Sequence, residues 1–307
     1  MSVVHEDARS YRGWRIVAVC FALAVFAWGF GFYGQGVYVA QLAQTRGWSL
    51  SLVSTGVTAY YLLSAVMVAF VSDWIKRFGA RKVVALGACA MGSGVALLGI
   101  VDQPWQLYGA LALMSVGWAS TSLGAITNIV GMWFSSRRGL AISLALTGAS
   151  AGGIIIVPAL QLAVGAYGFA PAMLASGAAL VALAPLALFL IETPPRTAAR
   201  LAEAAPPARW TRAKALRSPA FWSVAGPFAV IQTTQVAYLV HQISILEPVV
   251  GRAGAGFAVS LTTGSAVLGR LLLGLVVDKL DQRVMTAILA ASQALAIVAI
   301  ALWPTPV

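Results

Sequence analysis

Apolar residues in this chain come in long uninterrupted runs, and charged residues come in short clusters between them. The hydrocarbon layer of a bilayer is about 30 Å thick, and about 20 apolar residues cross it as a helix. Nine runs reach that length, at 15–40, 51–73, 82–101, 105–132, 140–163, 169–191, 219–243, 255–277 and 284–303. The first run is too long for the apolar part of a cleavable signal, and no small-x-small site ends it. The pattern predicts an all-α, multi-pass membrane protein.

The polar clusters orient the spans. Arg9, Arg12 and Arg15 precede the first run; Lys76, Arg77, Arg81 and Lys82 follow the second. Arg137 and Arg138 follow the fourth, Lys279 and Arg283 the eighth, and Arg196, Arg200, Arg209, Arg212, Lys214 and Arg217 the sixth. These are alternate connections, and they hold all of the 20 basic residues except Arg46, Arg252 and Arg270. Positive charge is retained on the cytoplasmic side, so the N-terminus is expected there, in the cell (inner) membrane. The longest connection, Glu192–Ser218, carries Pro194, Pro195, Pro206 and Pro207 among Ala and Arg. It reads as a cytoplasmic linker over 192–218, partly helical around Ala198–Ala204, between a six-helix bundle at 1–191 and three spans at 219–307.

Composition agrees. Of 307 residues 60% are apolar and only 9% charged, where a soluble domain has about 25%. The net charge of +11 invites a nucleic-acid partner, but its placement in short membrane-flanking loops excludes that reading. Cys20 and Cys89 lie in apolar runs, without metal-ligand spacing. No nucleophile–base pair, phosphate loop or metal cluster stands out, and the glycine runs lie in apolar helices with no strand before them. Neither an enzyme nor a cofactor or metal site is expected.

One residue breaks the apolar pattern. Arg270 is the only Lys or Arg well inside a run. Counted back from Asp278 at 1.5 Å per residue, it lies roughly 12 Å up the helix, near the middle of the membrane. A charge at that depth is costly, and by default it faces an internal cavity and carries function. A guanidinium is always charged and pairs a carboxylate through two parallel bonds, which suits a small organic anion. The alternative is an arginine that snorkels toward the cytoplasm or pairs with a backbone carbonyl. The nine acids are Glu6, Asp7, Asp73, Asp102, Glu192, Glu203, Glu247, Asp278 and Asp281. None falls in mid-run, which weakens a reading as an exporter of apolar or cationic compounds.

The chain also repeats itself. Ala69-Phe-Val-Ser-Asp73-Trp-Ile-Lys-Arg77-Phe-Gly79-Ala-Arg81-Lys82 is echoed by Gly274-Leu-Val-Val-Asp278-Lys279-Leu-Asp-Gln-Arg283. In each copy an acid ends a helix and bases follow in one short loop. Repeated helical halves are the logic of secondary transporters. At these residues the chain resembles the major facilitator superfamily, whose signature between helices two and three is roughly Gly-x-Leu-Ala-Asp-Arg-x-Gly-Arg-Lys. Gly79, Arg81 and Lys82 match it; Lys76 stands at the aspartate position, and Asp73 lies three residues, one helical turn, earlier. Trp133-Phe134-Ser135-Ser136-Arg137-Arg138-Gly139-Leu140-Ala141 is similar to oxalate/formate-antiporter-like and monocarboxylate-porter-like members. So are Arg46-Gly47-Trp48-Ser49, Ser218-Pro219-Ala220-Phe221-Trp222 and Gly269-Arg270.

The resemblance implies a six-helix N-terminal bundle plus a C-terminal bundle, rocking about a midplane site in alternating access. The family has twelve helices, and nine are expected here, so the second bundle is incomplete by three helices. The chain then reads as a truncated one, or as one completed by helices from elsewhere; a truncated, non-transporting membrane protein is a rival reading. The implied substrate is a small mono- or dicarboxylate with Arg270 as its anchor, coupled to H⁺ or a counter-anion. Oligomeric state is not legible. Asp278 is expected to face the start of helix five as part of a cytoplasmic gate with Arg137 and Arg138; the alternative is a solvated acid. Asp73, Arg77, Gly79, Arg81 and Arg283 complete the gating set.

Polar residues inside the runs are further candidates for the cavity wall: Tyr33 and Gln35 in the first, Thr121 and Asn128 with Gly124 on one face of the fourth, and Gln232, Gln235 and Gln242 on the seventh. The alternative for each is hydrogen bonding between helices. His241 could relay protons, or simply sit at the interface. Gly148-Ala-Ser-Ala-Gly152-Gly153 is a small-residue face that permits close helix approach. Pro158, Pro185 and Pro227 are expected to kink their helices, and Trp133, Trp210 and Trp222 to anchor helix ends at the interface.

Overall fold

The computed structural model describes residues 11–191 and 211–302, and all regular structure among them is helical. The helices are α1 (Gly13–Trp28), α2 (Gln35–Arg46), α3 (Leu50–Val68), α4 (Val71–Phe78), α5 (Ala80–Leu98), α6 (Pro104–Thr121), α7 (Leu123–Gly131), α8 (Arg138–Tyr167), α9 (Phe169–Leu190), α10 (Arg212–Leu216), α11 (Pro219–Val276) and α12 (Gln282–Leu302). A π turn over Gly29–Tyr33 joins α1 to α2, and a 3₁₀ turn over Val277–Lys279 ends α11. Seven helical stretches among the described residues are long and apolar enough to cross a membrane: Gly13–Tyr33, Leu50–Val68, Ala80–Leu98, Pro104–Gly131, Arg138–Tyr167, Phe169–Leu190 and Gln282–Ile300. The protein is a multi-pass membrane protein.

The first six expected spans and the ninth are all present, with altered ends. The seventh and eighth are not separate. Residues 219–243, 255–277 and the loop expected between them form one helix of 58 residues, α11. Its length is about 87 Å at 1.5 Å per residue. The connecting stretch holds Pro248, Gly251 and Gly254 but no adjacent pair of turn residues. A lone proline removes one helical hydrogen bond without reversing the chain. Pro158 and Pro185 likewise lie inside continuous helices. Of the linker expected at 192–218, residues 192–210, Trp210 among them, lie outside the described residues, as do the side chains of His241 and Gln242, and Arg212–Leu216 forms the short α10.

Two compact units result: Met1–Ala198 with Leu273–Asp278, and Ala199–Leu272 with Lys279–Val307. In the first, α5 packs on α9 and α6, and α1 packs on α8. The small-residue face of α8 makes the α1 contact close. A Cβ added at Gly148 would stand 2.2 Å from the Phe21 carbonyl oxygen, and one at Gly152 would stand 2.3 Å from that of Val25. Without a hydrophobic force between helices in lipid, such backbone approach and its dispersion contacts hold the pair. One core gathers Tyr38, Tyr60, Leu98, Leu107, Met114 and Met173; another gathers Ile16, Cys20, Ile126, Ile129, Ala141 and Ala145.

Three spans are broken rather than straight. Span one takes its π turn at 29–33. Span two breaks at Ala69 and Phe70, so its last part, α4, carries Asp73, Lys76 and Arg77 within a helix instead of a loop. Span four breaks at Ser122, whose backbone is extended. The broken ends of spans two and four pack together through Val71, Ile75 and Ala125. In the second unit, Gln293 of α12 donates to the Ile231 carbonyl at 2.9 Å and to the Thr234 hydroxyl at 3.1 Å.

Candidate functional site

Helix α8 begins without help from its own sequence. Its N-cap is Arg137, which makes no capping bond, and its first turn holds no acid. The first backbone N–H groups of any helix lack intrahelical acceptors, and the helix dipole favours an anion there. Asp278, which lies in the first unit with the end of α11, supplies one. Its Oδ1 accepts from the Gly139 amide at 2.9 Å and its Oδ2 from the Leu140 amide at 3.2 Å. Gly139 and Gly274 leave the room for this. A Cβ on Gly139 would stand 2.5 Å from Asp278 Oδ1, and one on Gly274 would stand 2.7 Å from the Ser143 Cβ. Two charge-assisted bonds thus hold an acid 139 and 138 positions further along the chain onto one helix end. The carboxylate is exposed, so water screens the contact in part.

The other members of the expected gating set are held separately. Asp73 lies exposed in the first turn of α4 and is already engaged. The Arg77 guanidinium lies over the Phe78 ring, 5.3 Å from its centre. Gly79 makes the α4–α5 turn at φ +83°, a conformation that L side chains rarely adopt. Arg81 donates through Nε to the Ile191 carbonyl at the end of α9. Arg138 lies against Gly131, and the Arg283 amide donates to Asp281 at 2.8 Å.

The expected cavity residues divide in the same way. Tyr33 is 40% exposed, stacks edge-on with Phe32 and borders Gly153. Gln35 is 4% exposed and donates to the Gly31 carbonyl, 3.2 Å away, so it does not open onto a cavity. The physical reason is the π turn, which adds a residue to the helical winding and rotates Gln35 inward. Thr121 and Asn128 do not share one straight face, because Ser122 breaks the helix between them. Thr121 bonds back to the Gly117 carbonyl, while the Asn128 amide bonds to Gly124 and its Oδ1 accepts from Ser72 on α4. In the second unit Arg270 is half-buried and engaged, and Gln232 and Gln235 are exposed. Among the described residues no cluster of His, Cys, Asp and Glu could hold a metal ion.

Two features escaped sequence reasoning. Arg46, at the end of α2, forms an ion pair with Asp102 at 2.7 Å, closing one end of the bundle. Nothing local links two residues so far apart. A cavity of about 390 Å³ lies between α2 and α8, lined by Gly36, Val37, Gln41, Gln161, Val164 and Gly165. The glycines at 36 and 165 were the available signal, since no atom approaches the place of a side chain at either.

Comparison with known proteins bears on what this arrangement is for. The sequence model of the Major Facilitator Superfamily matches residues 20–307. The human protein named monocarboxylate transporter 11 is 30% identical over 189 residues, 58% of this chain and 38% of that protein. The oxalate:formate antiporter of Oxalobacter formigenes is 24% identical over 190 residues, 62% of this chain and 45% of that protein. The gentisate transporter of Corynebacterium glutamicum is 29% identical over 165 residues, 51% of this chain and 36% of that protein. The chain thus matches less than half the length of each of these relatives.

Proposed function

The chain belongs to the Major Facilitator Superfamily, and from that premise we propose that it moves a small organic anion, a mono- or dicarboxylate, across the inner membrane by alternating access. The observation that carries the reading is Arg270, a permanent cation half-buried within an apolar helix. Monocarboxylates, oxalate, formate and gentisate, the compounds in the relatives' names, share a carboxylate. Arg270 anchors that group, with Gln232 and Gln235 of the same unit as further polar residues for it, and H⁺ or a counter-anion as the coupled ion. Asp278 acts as a cytoplasmic latch. Its bonds to the Gly139 and Leu140 amides are individually modest, so they can break and re-form in each cycle. The N-terminus lies in the cytoplasm.

The test is counterflow of labelled oxalate and of a labelled monocarboxylate in liposomes bearing the purified protein. Arg270→Ala is expected to lower flux at least tenfold with an unchanged melting temperature, and Arg270→Lys to restore part of it. Normal flux and substrate affinity in Arg270→Ala would sink the proposal.

A further inference from the structure

The cavity between α2 and α8 lies wholly within the first unit. Gln41 stands near the end of α2 and Gln161 near the end of α8, each roughly 8–9 Å from its helix terminus at 1.5 Å per residue. These termini lie away from the basic pair, Arg137 and Arg138, at the start of α8. A carboxamide turned to lipid at that depth would be costly. The face of α8 that carries Gln161 is turned to protein at its other end. Ser143 stands 18 residues earlier, about five helical turns, and so points the same way. There Gly274 packs on it, with 2.7 Å between the Ser143 Cβ and the place of a Gly274 side chain.

The cavity measures about 390 Å³, a size that holds small molecules. None of the residues lining it is charged. Gln41 and Gln161 offer one carboxamide from each helix, each with two N–H donors. Val37, Ala40 and Val164 supply an apolar wall, and the glycines at 36 and 165 leave the space open. With no acid in the lining, an anion is not repelled. With no Lys or Arg, it is held by neutral donors alone, which grip a carboxylate less strongly than a guanidinium does. Such a site takes up a carboxylate and releases it readily.

We propose that this cavity is an outer subsite for a small monocarboxylate. The carboxylate oxygens accept from the Gln41 and Gln161 amide nitrogens, and the carbon skeleton lies against Val37, Ala40 and Val164. The proposal rests on the reading of the chain as an organic-anion transporter with its N-terminus in the cytoplasm, and it adds a second binding position to the one at Arg270.

Alkylation of an Ala40→Cys variant of the whole chain, in liposomes, by a membrane-impermeant maleimide tests this. Ala40 is exposed on the cavity wall; Cys20 is buried, and Cys89→Ser removes the other native thiol. Benzoate is the probe, and benzamide is its uncharged counterpart of similar shape. Benzoate is expected to slow alkylation several-fold, and benzamide is not. Adding Gln161→Leu or Gln41→Leu should abolish the slowing with the melting temperature unchanged, and Arg270→Ala should leave it intact. An Ala40→Cys variant that does not react, no slowing by benzoate, equal slowing by benzamide, or slowing that survives both leucine substitutions would each overturn the subsite. Slowing lost in Arg270→Ala would also overturn it, by tracing the protection to the position at Arg270. Counterflow through Arg270→Ala reads the transport proposal separately, so each of the two can fail without the other.

Discussion

The spans at Pro104–Gly131 and Gln282–Ile300 are both apolar enough to cross a bilayer, yet they meet their surroundings in opposite ways. In the first, 61% of the most apolar window is buried; in the second, none is. Among the described residues of the second unit, none is fully buried. The difference teaches that hydropathy and packing are separate properties in a membrane protein. Lipid tails are as apolar as leucine, so a hydrophobic face makes a span without making a core. What converts a span into part of a core is the pairing of small residues with a neighbouring backbone, as Gly148 and Gly152 do against α1.

That contrast can be broken or sharpened by substitution. Gly152→Leu should have the largest effect, because the added side chain meets the Val25 carbonyl and no flexible atom can yield. Loss of monodisperse protein in size-exclusion chromatography is expected; a folded, stable variant would mean that α1 and α8 do not pack this closely. Next comes a matched pair. Met114→Ala in the first unit should cost about 2–5 kcal/mol in chemical denaturation. Leu295→Ala, 70% exposed on α12, should stay within about 0.5 kcal/mol. Similar losses at the two sites would erase the distinction.

Smaller effects test the polar contacts. Asp278→Ala should lower stability by about 1 kcal/mol or less, since the carboxylate is exposed and replaces an ordinary helix cap. Faster amide exchange at Gly139 and Leu140 would report the loss directly, and unchanged exchange would show that the amides do not depend on the acid. Asp102→Asn should do least, about 0–1 kcal/mol and less at high salt, because the Arg46 pair lies at the surface. A salt-independent loss would place that pair in a drier setting than its exposure indicates.

Much of the fold was legible in the pattern of the chain. Bilayer thickness and the absence of water inside it leave the helix as the local solution for each long apolar run. The first six spans and the ninth follow from that alone. The motif repeated at Asp73 and Asp278 reads as an acid ending a helix; Asp73 instead lies in the first turn of α4, while the expected meeting of Asp278 with the start of α8 is the geometry found. The candidate cavity was less legible. Gln35 reads as a cavity-lining polar residue, but it is turned inward, and the single helix over 219–276 contains no sign of the expected loop.

The first six spans and the ninth, the helical class and the alternation of charge clusters were determined by the sequence by itself, because each depends on local hydropathy against a solvent of known thickness. The π turn at 29–33, the breaks at Ala69–Phe70 and Ser122, and the partner of Asp278 were decided only by tertiary structure. A helix can release a backbone hydrogen bond inside the membrane only where another group takes it up. Those groups, the Tyr60 hydroxyl for Gly31 and the Asp278 carboxylate for Gly139, come from elsewhere in the chain and leave no local mark.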